Sequence, residues 1–323
     1  MGLDAVTTKA KRITRGRESR QKTLRKMWFY RYHYLLLAPG LLFFVIFHYV
    51  PMWGVIIAFQ DFRLWEGILG SPWVGLEHFR FFVNGPYFTR LIRNTLVISF
   101  LDLIVVFPTP IILALLLNEV AHRAYKRVIQ TISYLPYFVS WVVVGGLLIY
   151  IFSINVGMVT RWLARLGLAP VSILGSRSAF LPLVVGTSIW KGVGWGAIIY
   201  LAAIAGINPE LYEVAMIDGA GRFQRMLYIT IPSIMSVAVI MLILRIGAIL
   251  NVNFLQILIL LGNDASLLEV GDVIQTWVYR AGFRQQNMSL ATAVGLMNGV
   301  VGLILVYVAN KIANRLTEGG LWS

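Results

Sequence analysis

The chain has 323 residues, 58% hydrophobic and only 13% charged, against about 25% charged in soluble domains. That balance places it among membrane proteins rather than soluble enzymes. Basic residues outnumber acidic ones 28 to 14, a formal charge of +14, and the absence of cysteine excludes disulfides, thiol nucleophiles and cysteine-ligated metals.

The first 33 residues hold Lys9, Lys11, Arg12, Arg15, Arg17, Arg20, Lys22, Arg25, Lys26 and Arg31 against Asp4 and Glu18. The apolar run that follows is long enough to span, so this is not a removable signal peptide. It reads as a solvated arm that fixes orientation and touches anionic lipid.

A membrane span needs roughly 20 mostly apolar residues. Six segments qualify, at about 34–59, 95–118, 129–152, 180–205, 233–261 and 289–311. The first is entered through Trp28, Phe29, Tyr30, Tyr32 and Tyr34, an interfacial aromatic belt. Pro108 and Pro110 predict a kink in the second span and Pro136 one in the third. The expected fold is an all-α membrane protein of six transmembrane helices.

Charge orients it. With the N-terminus inside, segments 1–33, 119–128, 206–232 and 312–323 are cytoplasmic. They add Arg123, Lys126, Arg127, Arg222, Arg225 and Arg315 to the basic arm, with Lys311 at the last membrane edge. Segments 60–94, 153–179 and 262–288 lie outside, where Asp61, Glu66, Glu77, Asp264, Glu269 and Asp272 partly balance the arginines. The bias predicts both termini in the cytoplasm. It also accounts for most of the positive charge, so no nucleic-acid partner is expected. The domain reading is a basic arm (1–33), a six-helix transmembrane domain (34–311) and a cytoplasmic tail (312–323). Residues 158–166 form an amphipathic stretch with Arg161 and Arg165 one turn apart, expected to lie on the outer surface.

Residues 207–232 depart from lipid-compatible composition while keeping the signals of ordered structure. Asn208-Pro209 is a helix start, with Asn at the cap and Pro at the first helical position. Glu210 and Glu213 suit the positive end of the helix dipole. Leu211, Tyr212, Ala215 and Met216 fall on one stripe, and Asp218-Gly219 with Gly221 supply a stop and a turn. A second short helix is expected over 222–230, and Pro232 opens the fifth span.

The spacing of Glu213, Ala215, Gly219, Ile229, Ile231 and Pro232 resembles the "EAA" signature of ABC-importer permeases, with Val214 replacing the first alanine and Ile231 the leucine. Asp218-Gly219-Ala220 is similar to the sugar-importer branch. Val74–Phe79 resembles that family's VGLxNF stretch, and Tyr134–Ser140 its LPxxxS element. Together these cover nearly the whole chain after residue 33. The resemblance is to the oligosaccharide (MalF/LplB-like) group and, within it, to permeases of alginate importers. It implies that Leu211, Tyr212, Glu213, Ala215, Met216, Asp218 and Gly219 form a coupling helix seated in a cleft of an ATPase subunit. Glu213 would cap or salt-bridge there, and Gly219 would allow the turn. The implied partners are a second homologous permease subunit, two nucleotide-binding ATPase subunits and a periplasmic or lipid-anchored solute-binding protein. The implied cargo is an oligosaccharide, acidic in the alginate-like case, moved by alternating access across a bacterial inner membrane.

The chain itself carries no Walker A, His-Glu-x-x-His or Gly-x-Ser-x-Gly motif, and His33, His48, His78 and His122 lack metal-ligand spacing. It is expected to be no enzyme, with no catalytic residue, metal or cofactor of its own. ATP and magnesium belong to the partner subunits.

Three charges fall inside predicted spans: Asp102, Lys191 and Arg245. Charges at membrane depth point to function by default. Trp190, Lys191, Trp195, Arg245, Asn251, Asn253 and Gln256 are candidate pathway residues, offering aromatic faces for sugar rings and amides or cations for hydroxyls and carboxylates. Arg245 and Gln256 are expected on one helical face. The competing reading is a structural ion pair of Asp102 with Lys191 or Arg245. A pathway role for Arg245 predicts that Arg245→Met spares assembly and depresses transport. Gly192, Gly194 and Gly196 suit close helix approach or a loosened helix. A permease for another small solute, or a secondary transporter or channel without an ATPase, are the alternatives.

Overall fold

The computed structural model of the protein describes residues 26–154, 157–167, 172–262 and 264–316. The basic arm up to residue 25 and the tail from residue 317 lie outside the described residues. Within them the structure is helical, the only extended pairing being an isolated bridge between Gln60 and Trp73. We number the longer helices α1 (Arg31–Phe59), α2 (Glu77–Val83), α3 (Phe88–Glu119), α4 (Arg123–Phe138), α5 (Trp141–Phe152), α6 (Met158–Arg165) and α7 (Arg177–Ala205). They continue with α8 (Pro209–Ile217), α9 (Arg222–Gly247), α10 (Phe254–Leu261), α11 (Ile274–Tyr279) and α12 (Met288–Leu316). Five of these, α1, α3, α7, α9 and α12, are long and apolar enough to cross a membrane; α4 and α5 together make a sixth crossing if the bent pair counts as one span.

The chain divides into two compact units, Met1–Ile56 and Ile57–Ser323. The described part of the first is the aromatic entry and most of α1, with Trp28, Phe29, Tyr30, Tyr32 and Tyr34 exposed. The cores and the cavity described below belong to the second.

Two expected spans are interrupted. The third is bent by 102° between α4 and α5. The last turn of α4, Leu135–Phe138, tightens to a 3-10 helix beside Pro136, and Ser140 caps α5 by accepting from Val143 N–H at 3.3 Å. The fifth does not run to residue 261. It ends at Gly247, and α10 starts afresh where Asn253 accepts from Gln256 N–H at 3.3 Å. The apolar run hides this break because a single capping asparagine suffices to restart a helix. Arg245 and Gln256 therefore do not share a helical face. The second span carries a five-residue π-helical turn, Asp102–Val106, immediately before Pro108, a known source of local distortion.

Helix α7 lies at the centre of the second unit. Its Phe180 and Val184 pack with Ile98 of α3 and Ile257, Leu260 and Leu261 of α10. Farther along, Ala197, Tyr200 and Ile204 pack with Ala114 and Leu115 of α3 and Ile234 of α9. A third core joins Phe82, Leu91, Ile274, Leu290 and Val294. The alternating glycines of α7 have separate roles. A Cβ at Gly194 would sit 2.1 Å from the Ser133 carbonyl oxygen, and one at Gly196 2.8 Å from the Pro110 ring, while Gly192 has nothing within 4 Å. Gly194→Ala is expected to destabilise the protein by about 1–3 kcal/mol, because a backbone carbonyl cannot step aside. Gly192→Ala should leave stability unchanged. Paired thermal melts of the two purified variants check this, and equal midpoints would show the α4–α7 contact to be loose.

The segment before α12 is held by buried charge. Asp272 is fully buried and accepts from Arg280 at 2.5 Å, Thr276 at 2.8 Å and Arg90 at 3.5 Å. Asn94 donates to the carbonyls of Glu269 and Asp272 at 3.0 and 3.1 Å. A carboxylate so desolvated is tolerable only with such partners. Together these bonds pin the start of α3 to residues 269–280. Nearby, hydrogen bonds from the Ser266 side chain and backbone hold Asp264 below the usual carboxylate pKa.

Candidate functional site

A cavity of about 820 Å³ opens between α3, α5, α7, α9, α10 and the two breaks. Its size falls within the usual range of about 300–1,000 Å³ for ligand sites. Lys191, Trp195, Arg245, Asn251, Asn253 and Gln256 all line it, as does Asp102. Trp190 does not; it points away from the wall and is exposed.

The intramembrane charges are spoken for within the protein. Arg245 and Asp102 form a two-pronged ion pair, Nε to Oδ2 and Nη2 to Oδ1, each at 2.5 Å. This matches the planar fork of a guanidinium to a carboxylate. The Ser99 hydroxyl ties α3 to the unwound segment after α9 by donating to the Ile249 carbonyl. Among the described residues, Lys191 has no carboxylate partner. Its ammonium donates to the carbonyls of Pro136 at 3.2 Å, Tyr137 at 2.7 Å and Val139, at the bend between α4 and α5.

The amides divide in the same way. Gln256 is 2% exposed; its amide N–H groups donate to the Val184 carbonyl and Thr187, each at 2.8 Å, and its Oε1 accepts from the Ser188 hydroxyl at 3.1 Å. It therefore ties α10 to α7 rather than presenting an open amide. Asn251, in the unwound segment after α9, accepts from Gln275 at 2.7 Å and Asn298 at 3.2 Å. Asn253 is the cap of α10.

The aromatic wall is larger than the sequence reading anticipated. Tyr137 stacks on Trp195 with centroids 4.5 Å apart and planes 6° apart, and Phe138 meets the same indole edge-on at 5.6 Å. Trp141 and Tyr200 join the lining. Tyr137 and Trp141 arrive because the bend turns that stretch inward. The aromatic run around Pro136 was the available signal.

Away from the cavity, α8 is ordered by local bonds. Asn208 accepts from Glu210 N–H at 3.1 Å. At the other end Gly219 has φ +80°; its N–H reaches the Met216 carbonyl, and Ala220 N–H reaches that of Ala215 at 2.8 Å. This is a left-handed glycine stop, the conformation glycine adopts most cheaply. Tyr212 is half-buried and bonds Thr230 across the hairpin at 2.9 Å, and Ala215 is half-buried as well. The outward face is instead Leu211, Val214, Met216 and Ile217, the last 85% exposed. The expected single stripe is thus split, and Val214 and Ile217 are additions to it. Glu213 and Asp218 are exposed. Among the described residues, no cluster of three or more His, Asp or Glu side chains could hold a metal ion.

Residues 107–318 match the family described as "binding-protein-dependent transport system inner membrane component". The chain is 47% identical over 289 residues to Protein LplB of Bacillus subtilis (strain 168), covering 90% of each chain. It is 44% identical over 306 residues to the polygalacturonan/rhamnogalacturonan transport system permease protein YteP of the same organism, covering 95% of each. It superposes with TM-score 0.84 and 39% identity on a chain from the crystal structure of a bacterial ABC transporter that imports the acidic polysaccharide alginate, covering 92% of this chain and 99% of that one. The chain belongs to the binding-protein-dependent transport inner-membrane family: it is a multi-pass permease subunit of a bacterial ABC importer, not an enzyme, and ATP is hydrolysed by partner subunits.

Proposed function

We propose that this permease passes acidic oligosaccharides, of the uronate-containing kind, through the cavity between α3, α5, α7, α9 and α10. The observation that carries this reading is the cavity wall itself, which the Tyr137–Trp195 stack and Trp141 share with Asn251 and Asn253. Flat aromatic faces suit sugar rings, and amides suit hydroxyls. The cargoes named for YteP and the alginate transporter support the acidic class.

Both termini face the cytoplasm in this reading, supported by the excess of basic residues in segments 1–33, 119–128, 206–232 and 312–323. The bounds 1–33, 34–311 and 312–323 then divide arm, permease domain and tail. Residues 207–232 meet the ATPase, with α8 laid into its cleft as an amphipathic helix in a groove. A second permease subunit completes the pathway, two ATPase subunits drive it, and an external binding protein delivers cargo. Helix α6 lies along the outer membrane surface.

Uptake by the reconstituted complex tests the cargo. A trigalacturonate should enter in an ATP- and binding-protein-dependent manner, and a neutral trisaccharide of equal length should enter far more slowly. Equal rates for the two would remove the acidic class.

A further inference from the structure

We infer that Lys191 is a positioning residue, which holds the break in the third span and keeps its charge for the protein rather than for cargo. The inference rests on the importer reading for its transport arm alone. A helix that stops within a membrane leaves carbonyl oxygens without N–H partners. Here α4 stops at Phe138 and the chain turns 102° before α5. Lys191 of α7 meets the carbonyls of Pro136, Tyr137 and Val139 at this break, of which that of Pro136 also accepts from Val139 N–H at 3.2 Å. An ammonium has three protons to donate, so none is left for an incoming carboxylate. Positive charge is also favoured at the negative end of a helix dipole.

The consequence reaches the cavity through the aromatic wall. Lys191 lies 5.6 Å from the Tyr137 ring and 5.5 Å from that of Trp141, one ring on each side of the bend. Tyr137 in turn stacks on Trp195, one turn beyond Lys191 on α7. A single side chain therefore sets the angle between α4 and α5 and the seat of the stacked pair. The other cation cannot substitute, because Arg245 is committed to Asp102.

The chain has no cysteine, so spin labels can be placed at will. Labels at Tyr125 on α4 and Tyr150 on α5, both exposed, read the bend in the assembled transporter with cysteine-free partners. Lys191→Met should shift and broaden the distance distribution, and Lys191→Arg should keep the native peak. Uptake of trigalacturonate and of its methyl ester should fall by the same factor in Lys191→Met. A native peak in Lys191→Met overturns the inference, as does a loss confined to the acidic form. Should that variant not assemble, Lys191→Gln is measured in its place: a broadened peak supports the inference, and an unaltered one overturns it. Failure of the wild type to import either trisaccharide would sink the cargo reading and leave the distance result standing.

Discussion

Arg245→Met is expected to cut the yield of assembled complex and to abolish uptake, and adding Asp102→Asn is expected to restore assembly. The sequence alone suggested that the single change would spare assembly. The two-pronged pair at 2.5 Å reverses that. Removing the guanidinium leaves Asp102 uncompensated; its side chain is 31% exposed on the cavity wall, so the cost stays below the value of about 2.5–3.5 kcal/mol for a charge set in lipid. The neutral double variant avoids this penalty, since breaking a pair costs more than replacing it. Size-exclusion yield and uptake, measured for both variants side by side, decide the matter. Full assembly of the single variant would mean that the pair holds nothing together. Restored assembly with transport still lost would assign the pair a role in the moving cavity wall.

The second large effect concerns α8. Ile217→Asp is expected to release the ATPase subunits from the purified complex without unfolding the permease. Ile217 is 85% exposed, so the change leaves the packing of this chain untouched. Losing a central apolar anchor costs about 2 kcal/mol or more, roughly 30-fold in affinity. Ala215 is a poorer probe because it is half-buried against the hairpin. A cysteine at position 217 should therefore crosslink to the ATPase better than one at 215. Retention of the full ATPase complement by Ile217→Asp would move the docking surface away from this face.

Much of the architecture was legible because it rests on local rules. Long apolar runs identified α1, α3, α7 and α12, and the Asn208 cap with the Gly219 stop bounded α8 to within a residue. Pro136 marked the bend in the third span, though not its 102° size; the break in the fifth was not legible. Residues 248–253 lie in an apolar stretch, and the cap that restarts α10 is one asparagine among several polar residues. The three in-span charges all line the cavity, and the pairing of Asp102 with Arg245 was one of the two ion pairs the sequence offered; the partners of Lys191 were not foreseen. Lys191 binds carbonyls of Pro136, Tyr137 and Val139, which have no side-chain signature at all. Likewise Gln256 looked like an open amide until α7 supplied the Val184 carbonyl, Thr187 and Ser188. Contacts between distant helices, rather than composition, decide whether a polar side chain is free.

The breaks also have an electrical meaning. Helix α5 has 12 residues and α10 has 8, so they are about 18 and 12 Å long, short of a hydrocarbon layer of about 30 Å. They pack on each other, with Ile259 pressed against Gly145, where even a Cβ would come within 2.2 Å. Helices this short would leave a thinner insulating layer beside the cavity than the bilayer around it. A voltage across the membrane falls most steeply over its thinnest insulator. An ionised cargo exchanges about 2.3 kcal/mol per elementary charge for every 100 mV crossed. Much of that exchange would be made where α5 and α10 meet the cavity, at Trp141 and Gln256.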